Sequence, residues 1–185
     1  MLSNAVAIEE IEDDRVDSQI VVQDNLGFKG VFAKDDIVQD SVILQLKGTL
    51  TSRPSKYTIQ LARNKHLNFP KVRKVDDDLD YCWQFLNHSC EPNSYMNIAD
   101  LTFRAARSIK RGEEITFNYL TTESAMAVPF KCICGSANCF GVIQGYDFLT
   151  DDQVKRLVGA AAPNKVIPLF APLVLSTKQS GQLIP

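Results

Sequence analysis

A mainly β fold with minor α is what this sequence predicts, and two observations predict it. Short runs rich in β-branched and aromatic residues alternate with turn-forming residues, and only two stretches carry helical spacing. In chain order, residues 1–18 are rich in Glu and Asp with scattered aliphatics and read as an N-terminal arm, frayed or a short helix that docks elsewhere, without assigned chemistry. Strands are expected at residues 20–22, 30–33, 42–46, 57–61, 98–106 and 114–119. Between the fourth and fifth, Leu79, Cys82, Trp83 and Leu86 recur at helical spacing, so one or two turns run straight into Asn87-His88-Ser89-Cys90-Glu91-Pro92-Asn93. Gly112, free to take positive φ, marks a turn before the last strand, on which Ile115, Phe117 and Tyr119 share a face. Thr150-Asp151-Asp152-Gln153 then has the chemistry of a helix N-terminus, with Val154, Leu157 and Val158 as its apolar stripe and a stop near Gly159 or Pro163. Pro168 and Pro172 break the apolar stretch 166–175, which is expected to lie extended over the surface.

At 185 residues the chain can bury one full core and is too short for two comfortable ones. Apolar residues make up 45% and charged residues 23%, a globular balance that argues against wholesale disorder, and no stretch reaches the length of a membrane span. The acidic start lacks the basic and apolar regions of a secretory signal, so an intracellular location is expected, with nucleus and cytoplasm equally open. A net charge of −2 argues against strong direct nucleic-acid binding. The local basic group Arg63, Lys65, Lys71, Arg73 and Lys74 is followed at once by Asp76, Asp77, Asp78 and Asp80, and reads as a solvated, self-balanced face.

Five cysteines without a secretory signal point to thiols or thiolates rather than disulfides. Cys132, Cys134 and Cys139 fall within eight residues, beside Gly135 and Gly141, which permit the tight backbone such spacing demands. Three sulfurs so placed can converge on one zinc ion, which prefers four thiolate or imidazole ligands in a tetrahedron. On spacing alone the fourth ligand is open among Cys82, Cys90 and the two histidines. Cys82, on an apolar helical face, reads rather as a core thiol.

Three segments taken in order, Asn87-His88-Ser89-Cys90-Glu91-Pro92-Asn93, Gly112-Glu113-Glu114-Ile115-Thr116-Phe117-Asn118-Tyr119 and Cys132-x-Cys134-x4-Cys139, resemble the SET-domain family of protein-lysine methyltransferases. The likeness covers roughly residues 19–150. It implies a SET fold of small curved β-sheets around a knot-like crossing, with a SET domain over 19–122, a post-SET zinc segment over 123–149, and a helix and tail over 150–185. It implies S-adenosylmethionine as cofactor and structural zinc bound by Cys90, Cys132, Cys134 and Cys139. Asn87 and His88 match family residues that hold the cofactor, and Phe28, Lys29 and Gly30 match the segment that lays its backbone along it. Tyr119 matches the active-site tyrosine beside the transferring methyl. Phe117 matches a position where Phe, lacking a hydroxyl to hold water, favours di- or trimethylation. Tyr57 is assigned either to the cofactor or lysine pocket or to packing.

The chain also departs from the family pattern. Phe28 replaces the usual first glycine, with Gly27 one place early; Leu46-Lys47-Gly48-Thr49 stands where relatives have Tyr-x-Gly-Glu; Gln84 precedes Phe85 where Arg is common; and Asn118 replaces a frequent Asp. The implied partner is a protein carrying a lysine, with histone tails the most frequent family substrates, although no residue here selects a histone. Two alternatives stand beside it: a non-histone or small-metabolite acceptor, motivated by the altered 46–49 segment and the proline-broken tail, and a non-catalytic binding module that keeps the fold.

Overall fold

The computed structural model describes residues 19–25, 27–70 and 80–161. The expected arm at 1–18, the charged run at 71–78, the start of the helical stretch at Leu79 and the extended tail lie outside the described residues.

Short strands dominate, in small separate sheets. β1 (Ile20–Asn25) and β2 (Phe28–Ala33) form an antiparallel hairpin. Its tight turn uses Gly27 at φ 87°, whose N–H donates to Asp24 Oδ1 at 2.8 Å. β3 (Val42–Gln45), β8 (Ser94–Asn97) and β9 (Thr102–Ala105) make a three-stranded sheet in the order β3-β9-β8. A second antiparallel sheet, β4-β6-β5, comprises β4 (Thr49–Thr51), β5 (Ile59–Ala62) and β6 (Lys65–Asn68). β7 (Asn87–His88) and β10 (Thr116–Phe117) pair in parallel, and β11 (Phe130–Lys131) pairs antiparallel with β12 (Val142–Ile143). The one α-helix among the described residues, α1 (Asp151–Ala161), begins with a reciprocal capping box: Gln153 N donates to Thr150 Oγ1 and Thr150 N to Gln153 Oε1.

Several sequence-based expectations shift in instructive ways. The strand expected over 98–106 begins only at Thr102, and residues 98–101 are the turn of the β8-β9 hairpin, because Asn97 and Asp100 supply turn chemistry that Ile98 and Leu101 disguise. Asn97 Oδ1 accepts the Ala99 N–H, Asp100 Oδ1 accepts the Thr102 hydroxyl, and Leu101 takes φ 53°. The expected strand at 114–119 stops at Phe117, since Asn118 caps a 3-10 helix at Tyr119–Thr121 by accepting the Leu120 N–H. The helical spacing before Asn87 yields the 3-10 helix Cys82–Phe85, with Cys82 and Trp83 both fully buried. β4, β6, β11 and β12 are too short or too polar to have been anticipated. The charged face also rearranges: Arg63 pairs with Asp147 at 3.2 Å, and Asp80 with Lys47 at 3.1 Å.

The main core gathers Val31, Ile43, Leu44, Trp83, Phe103, Ile109, Ile115 and Phe117 from the first two sheets, the β1-β2 hairpin and the crossing. A second, smaller cluster joins Cys90, Leu120, Cys132, Phe140, Ile143, Tyr146 and Leu157. Tyr119 packs against both.

Candidate active site and metal centre

Two remote stretches of chain cross where β7 and β10 pair. Asn87 lies opposite Thr116 and His88 opposite Phe117, and Ser89 N extends the pairing to Phe117 O at 3.1 Å. Such short strands need help, and side chains of the same motif supply it. Asn93 Oδ1 accepts Thr116 N at 2.9 Å, Asn93 Nδ2 donates to Glu114 O at 2.8 Å, and the Ser94 hydroxyl donates to Thr116 O at 2.9 Å. Asn93 and Ser94 are buried, so these bonds replace water that the crossing excludes. β2 adds a further layer, with Ile115 N donating to Val31 O at 2.7 Å and Ala33 N to Glu113 O at 2.9 Å.

On the rim of this crossing, Asn87 Nδ2 donates to Lys29 O at 3.1 Å and to Glu114 Oε1 at 2.7 Å. Both bonds use the amide nitrogen, which leaves the amide oxygen of this exposed residue as an acceptor. Gly30 lies in the same corner. A Cβ there would stand 2.8 Å from Glu114 Oε1, 3.0 Å from the Phe32 ring and 3.3 Å from Asn87 Nδ2, so a side chain at this position would displace the Glu114 carboxylate from Asn87. Phe28 is 80% exposed, and the Lys29 ammonium lies 4.8 Å from the centre of the Phe85 ring.

Deeper in, the Tyr119 hydroxyl donates to Leu86 O at 2.7 Å. Burial holds this phenol far above its ordinary range, and the carboxylates of Glu123 and Glu114 reinforce the effect, so it stays a neutral donor. Around it lie His88 at 5.2 Å, Phe117 at 4.8 Å and Phe130 at 6.0 Å between ring centres, a largely apolar wall. Phe117 in turn packs edge-on against Phe103 at 4.8 Å. Tyr119 N donates to His88 Nδ1 at 3.1 Å, which makes Nδ1 the acceptor and places the ring proton on Nε2, 3.3 Å from Cys90 Sγ. Burial lowers His88 to about 4, consistent with a neutral ring.

Cys90, Cys132, Cys134 and Cys139 bring their sulfurs within 4.8 Å of one another. Cys90 Sγ lies 3.8 Å from Cys132 Sγ and 3.9 Å from Cys139 Sγ. Four sulfurs at ~2.3 Å from one zinc ion in a tetrahedron stand about 3.8 Å apart, so the spacing fits a structural four-cysteine centre with no open position. Burial pushes the Cys90 and Cys132 thiols up, an unfavourable state for free thiolates that a dication would reverse. The Phe140 N–H already donates to Cys90 Sγ at 3.4 Å and the Gly141 N–H to Cys139 Sγ at 3.4 Å, as metal-bound thiolates require.

Asn87, His88, Phe117, Tyr119 and the Lys29-Gly30 backbone are therefore brought together, and the four cysteines adjoin them through Cys90. Tyr57 lies on the loop before β5, 41% exposed and edge-on to Phe69 at 6.4 Å, a placement compatible with either of its two assigned roles. Glu114, Phe130, Gln60 and Glu123 went unassigned in the sequence. Glu114 carried a signal in its place within Gly-Glu-Glu. Glu123, four residues after Tyr119, carried only its spacing.

The SET domain family profile matches residues 29–120. Residues 29–120 are a SET domain. The chain is 43% identical over 70 residues to Methyltransferase flvH of Aspergillus flavus, 37% of this chain and 37% of that one. It is 41% identical over 140 residues to an H3 lysine-36 specific histone-lysine N-methyltransferase of Chaetomium globosum, covering 68% of this chain and 15% of the relative. Against human Histone-lysine N-methyltransferase SETD2 the figures are 27% over 143 residues, 70% of this chain and 6% of the relative. The chain thus spans well under half the length of these curated relatives. Among solved structures, KRYPTONITE in complex with mCHG DNA and SAH matches with a TM-score of 0.46 and 20% identity, over 62% of this chain and 26% of that chain. No helix among the described residues is long and apolar enough to cross a membrane.

Proposed function

We propose that this SET domain transfers methyl groups from S-adenosylmethionine to the side-chain amine of a protein lysine. The observation that carries the reading is the β7-β10 crossing, which brings the buried Tyr119 hydroxyl, the Asn87 amide and the side-chain-free corner at Gly30 into one site. The cofactor, when bound, supplies a methyl group activated on a sulfonium. The Lys29-Gly30 backbone and the Asn87 amide oxygen are the groups that would hold it, with Glu114 fixing the Asn87 rotamer. An attacking amine must be neutral although its reference pKa is about 10.4, and the apolar wall of Phe117, Phe130 and Tyr119 favours the neutral form. The carbonyl of Leu86 and the Tyr119 oxygen are dipoles able to orient the nitrogen lone pair and to stabilise charge developing on it. Phe117, 3% exposed and without a hydroxyl, leaves room for an already methylated nitrogen, which supports di- or trimethylation.

Zinc held by Cys90, Cys132, Cys134 and Cys139 is structural in this reading. It ties the segment after Tyr119 to the motif that carries Asn87 and His88. The relatives named as histone-lysine methyltransferases make a histone tail the first acceptor to test, with a nuclear location following from that acceptor. Direct nucleic-acid binding is expected to be weak at a net charge of −2.

The test is transfer of labelled methyl to core histones, a whole-cell protein extract and a small-metabolite extract, with zinc content matched between samples. Label on protein lysines, reduced roughly 100-fold in Tyr119→Phe, is the expected result. Label confined to metabolites would move the acceptor to a small amine. Bound cofactor without transfer to any pool would make the domain a binding module.

A further inference from the structure

Glu123 is a carboxyl group 7% exposed, in a position the chemistry above does not use. Its Oε1 accepts the Gln60 N–H at 2.8 Å and the Thr122 hydroxyl at 3.4 Å. Gln60 answers with its own side chain, whose Oε1 accepts both the N–H of Ser124 at 2.9 Å and its hydroxyl at 3.0 Å. These bonds join β5 of the β4-β6-β5 sheet to the turn that follows Tyr119, across more than sixty residues of chain. The same turn sets Tyr119 itself, since Glu123 N and Thr122 N both donate to Tyr119 O, at 2.8 and 3.1 Å. A buried clasp therefore connects a peripheral sheet to the phenol at the centre of the site.

The clasp is unusual in its charge balance. Tyr119 stands on the same turn as Glu123 and is raised by burial and by the Glu123 charge, His66 pairs with Gln60 in the strand register, and the Tyr146 N–H donates to Glu123 O at 2.8 Å. A phenol is neutral or anionic and never a cation, and burial lowers His66, so none of these groups supplies a positive charge at neutral pH. The nearby Arg63 is engaged at the surface by Asp147. Burial accordingly pushes Glu123 up to about 7, although its two hydrogen bonds favour the ionised form.

We propose that Glu123 is a positioning residue whose carboxyl clasps the β4-β6-β5 sheet to the Tyr119 turn when protonated and loosens it when ionised, making acceptor transfer sensitive to pH. The kinetic part rests on the methyl-transfer reading; the clasp itself does not. An open, solvated Glu123 ionises near the ordinary carboxylate range and a closed one near neutrality, so opening becomes more favourable as pH rises between those values.

The experiment uses the full chain as purified. Carboxyl-carbon NMR follows Glu123 with pH, and amide hydrogen exchange follows Gln60 and Ser124 between pH 5 and 8, corrected for intrinsic rates. Glu123 should titrate near neutrality, and protection of the Gln60 amide should fall on the order of tens of fold over that range, while remaining flat in Glu123→Gln. In methyl-transfer assays the acceptor kcat/KM profile of Glu123→Gln should lose an inflection near neutrality, with the cofactor KM unchanged. Titration of Glu123 among the other carboxylates, flat Gln60 protection in the wild type, or superimposable rate profiles would each overturn the proposal. The first two readouts need neither the variant nor turnover. A chain that transfers no methyl groups would defeat the functional reading and leave the clasp to be decided by exchange.

Discussion

The two apolar clusters of this protein meet at Tyr119 but hold together by different physics. The larger one, among the described residues, buries eighteen side chains drawn from hairpins and three-stranded sheets, with Phe103, Ile43 and Ile115 fully sealed. The smaller buries seven, two of them cysteines, and its only sheet pairs two strands of two residues each. It also leaves Ile133 91% and Phe148 60% exposed. A cluster that small cannot offset the chain entropy of residues 123–149 by burial alone. Four converging thiols can, once cross-linked by a metal. The difference teaches that one half of the site is set by packing while the other has too little packing to stand alone and converges on four thiols fit for a metal, with Tyr119 anchored in each.

Zinc removal is the largest perturbation this contrast predicts. Stripping the metal with a chelator should cost on the order of 10 kcal/mol locally, the scale of small zinc modules, and should erase amide protection across 130–143. Trp83, the sole tryptophan, is buried in the larger cluster with its Nε1–H donating to Lys47 O at 3.0 Å. Its fluorescence should change little. Loss of the Trp83 signal together with zinc would show a single cooperative unit and break the comparison.

The converse perturbation is Phe103→Ala. This side chain is fully buried against Phe117, and its removal leaves a cavity expected to cost about 3–5 kcal/mol. Denaturation followed at Trp83 should shift by that amount, and excess zinc should not rescue it. Recovery with added zinc would mean that the metal stabilises the larger cluster as well.

Next comes pH, through Glu123. Its carboxyl is raised from an ordinary 4.5 to about 7 in the folded chain, so the folded state binds the proton more tightly. The resulting stability is fully present below pH 4.5 and is lost as pH rises through about 7, a difference of about 3 kcal/mol. Glu123→Gln should flatten that slope in denaturation series run at pH 5, 6, 7 and 8. An unchanged slope would place the burial cost elsewhere.

Much of this was legible in the sequence, and where it was not the reason is physical. The cysteine spacing and the two motif segments announced the four-cysteine cluster and the crossing, because their chemistry depends on residue type at fixed separation. Cys82 read correctly as a core thiol from helical spacing alone. The β8-β9 hairpin was hidden because Asn97 and Asp100 form its turn while Ile98 and Leu101 keep the apolar pattern running. Asn118 looked like a departure from Asp, yet the position needs only a side-chain oxygen to cap the Tyr119 turn, and either residue provides it. Glu123 and Gln60 were invisible because nothing local marks a polar pair joined across the fold. β5 was legible in its β-like run at 57–61, whereas its sheet neighbours β4 and β6 are too short and polar for periodicity to locate.

The smallest effect tests how far the smaller cluster extends. α1 docks onto it through Leu157, 3% exposed, and through Arg156, whose guanidinium lies 4.3 Å from the centre of the Phe140 ring. Phe140 N in turn donates to Cys90 Sγ, so the helix touches the four-cysteine cluster at one remove. Thr150→Ala removes half of the capping box and should cost about 1 kcal/mol. Amide exchange in α1 should then speed up by roughly fivefold, and zinc affinity should fall measurably, by up to that factor, with Trp83 unfolding unchanged. A matching fall at Trp83 would join the two clusters. An unaltered zinc affinity would confine the helix to a role outside the metal centre, because a coordination shell coupled to α1 through Phe140 must register its loosening.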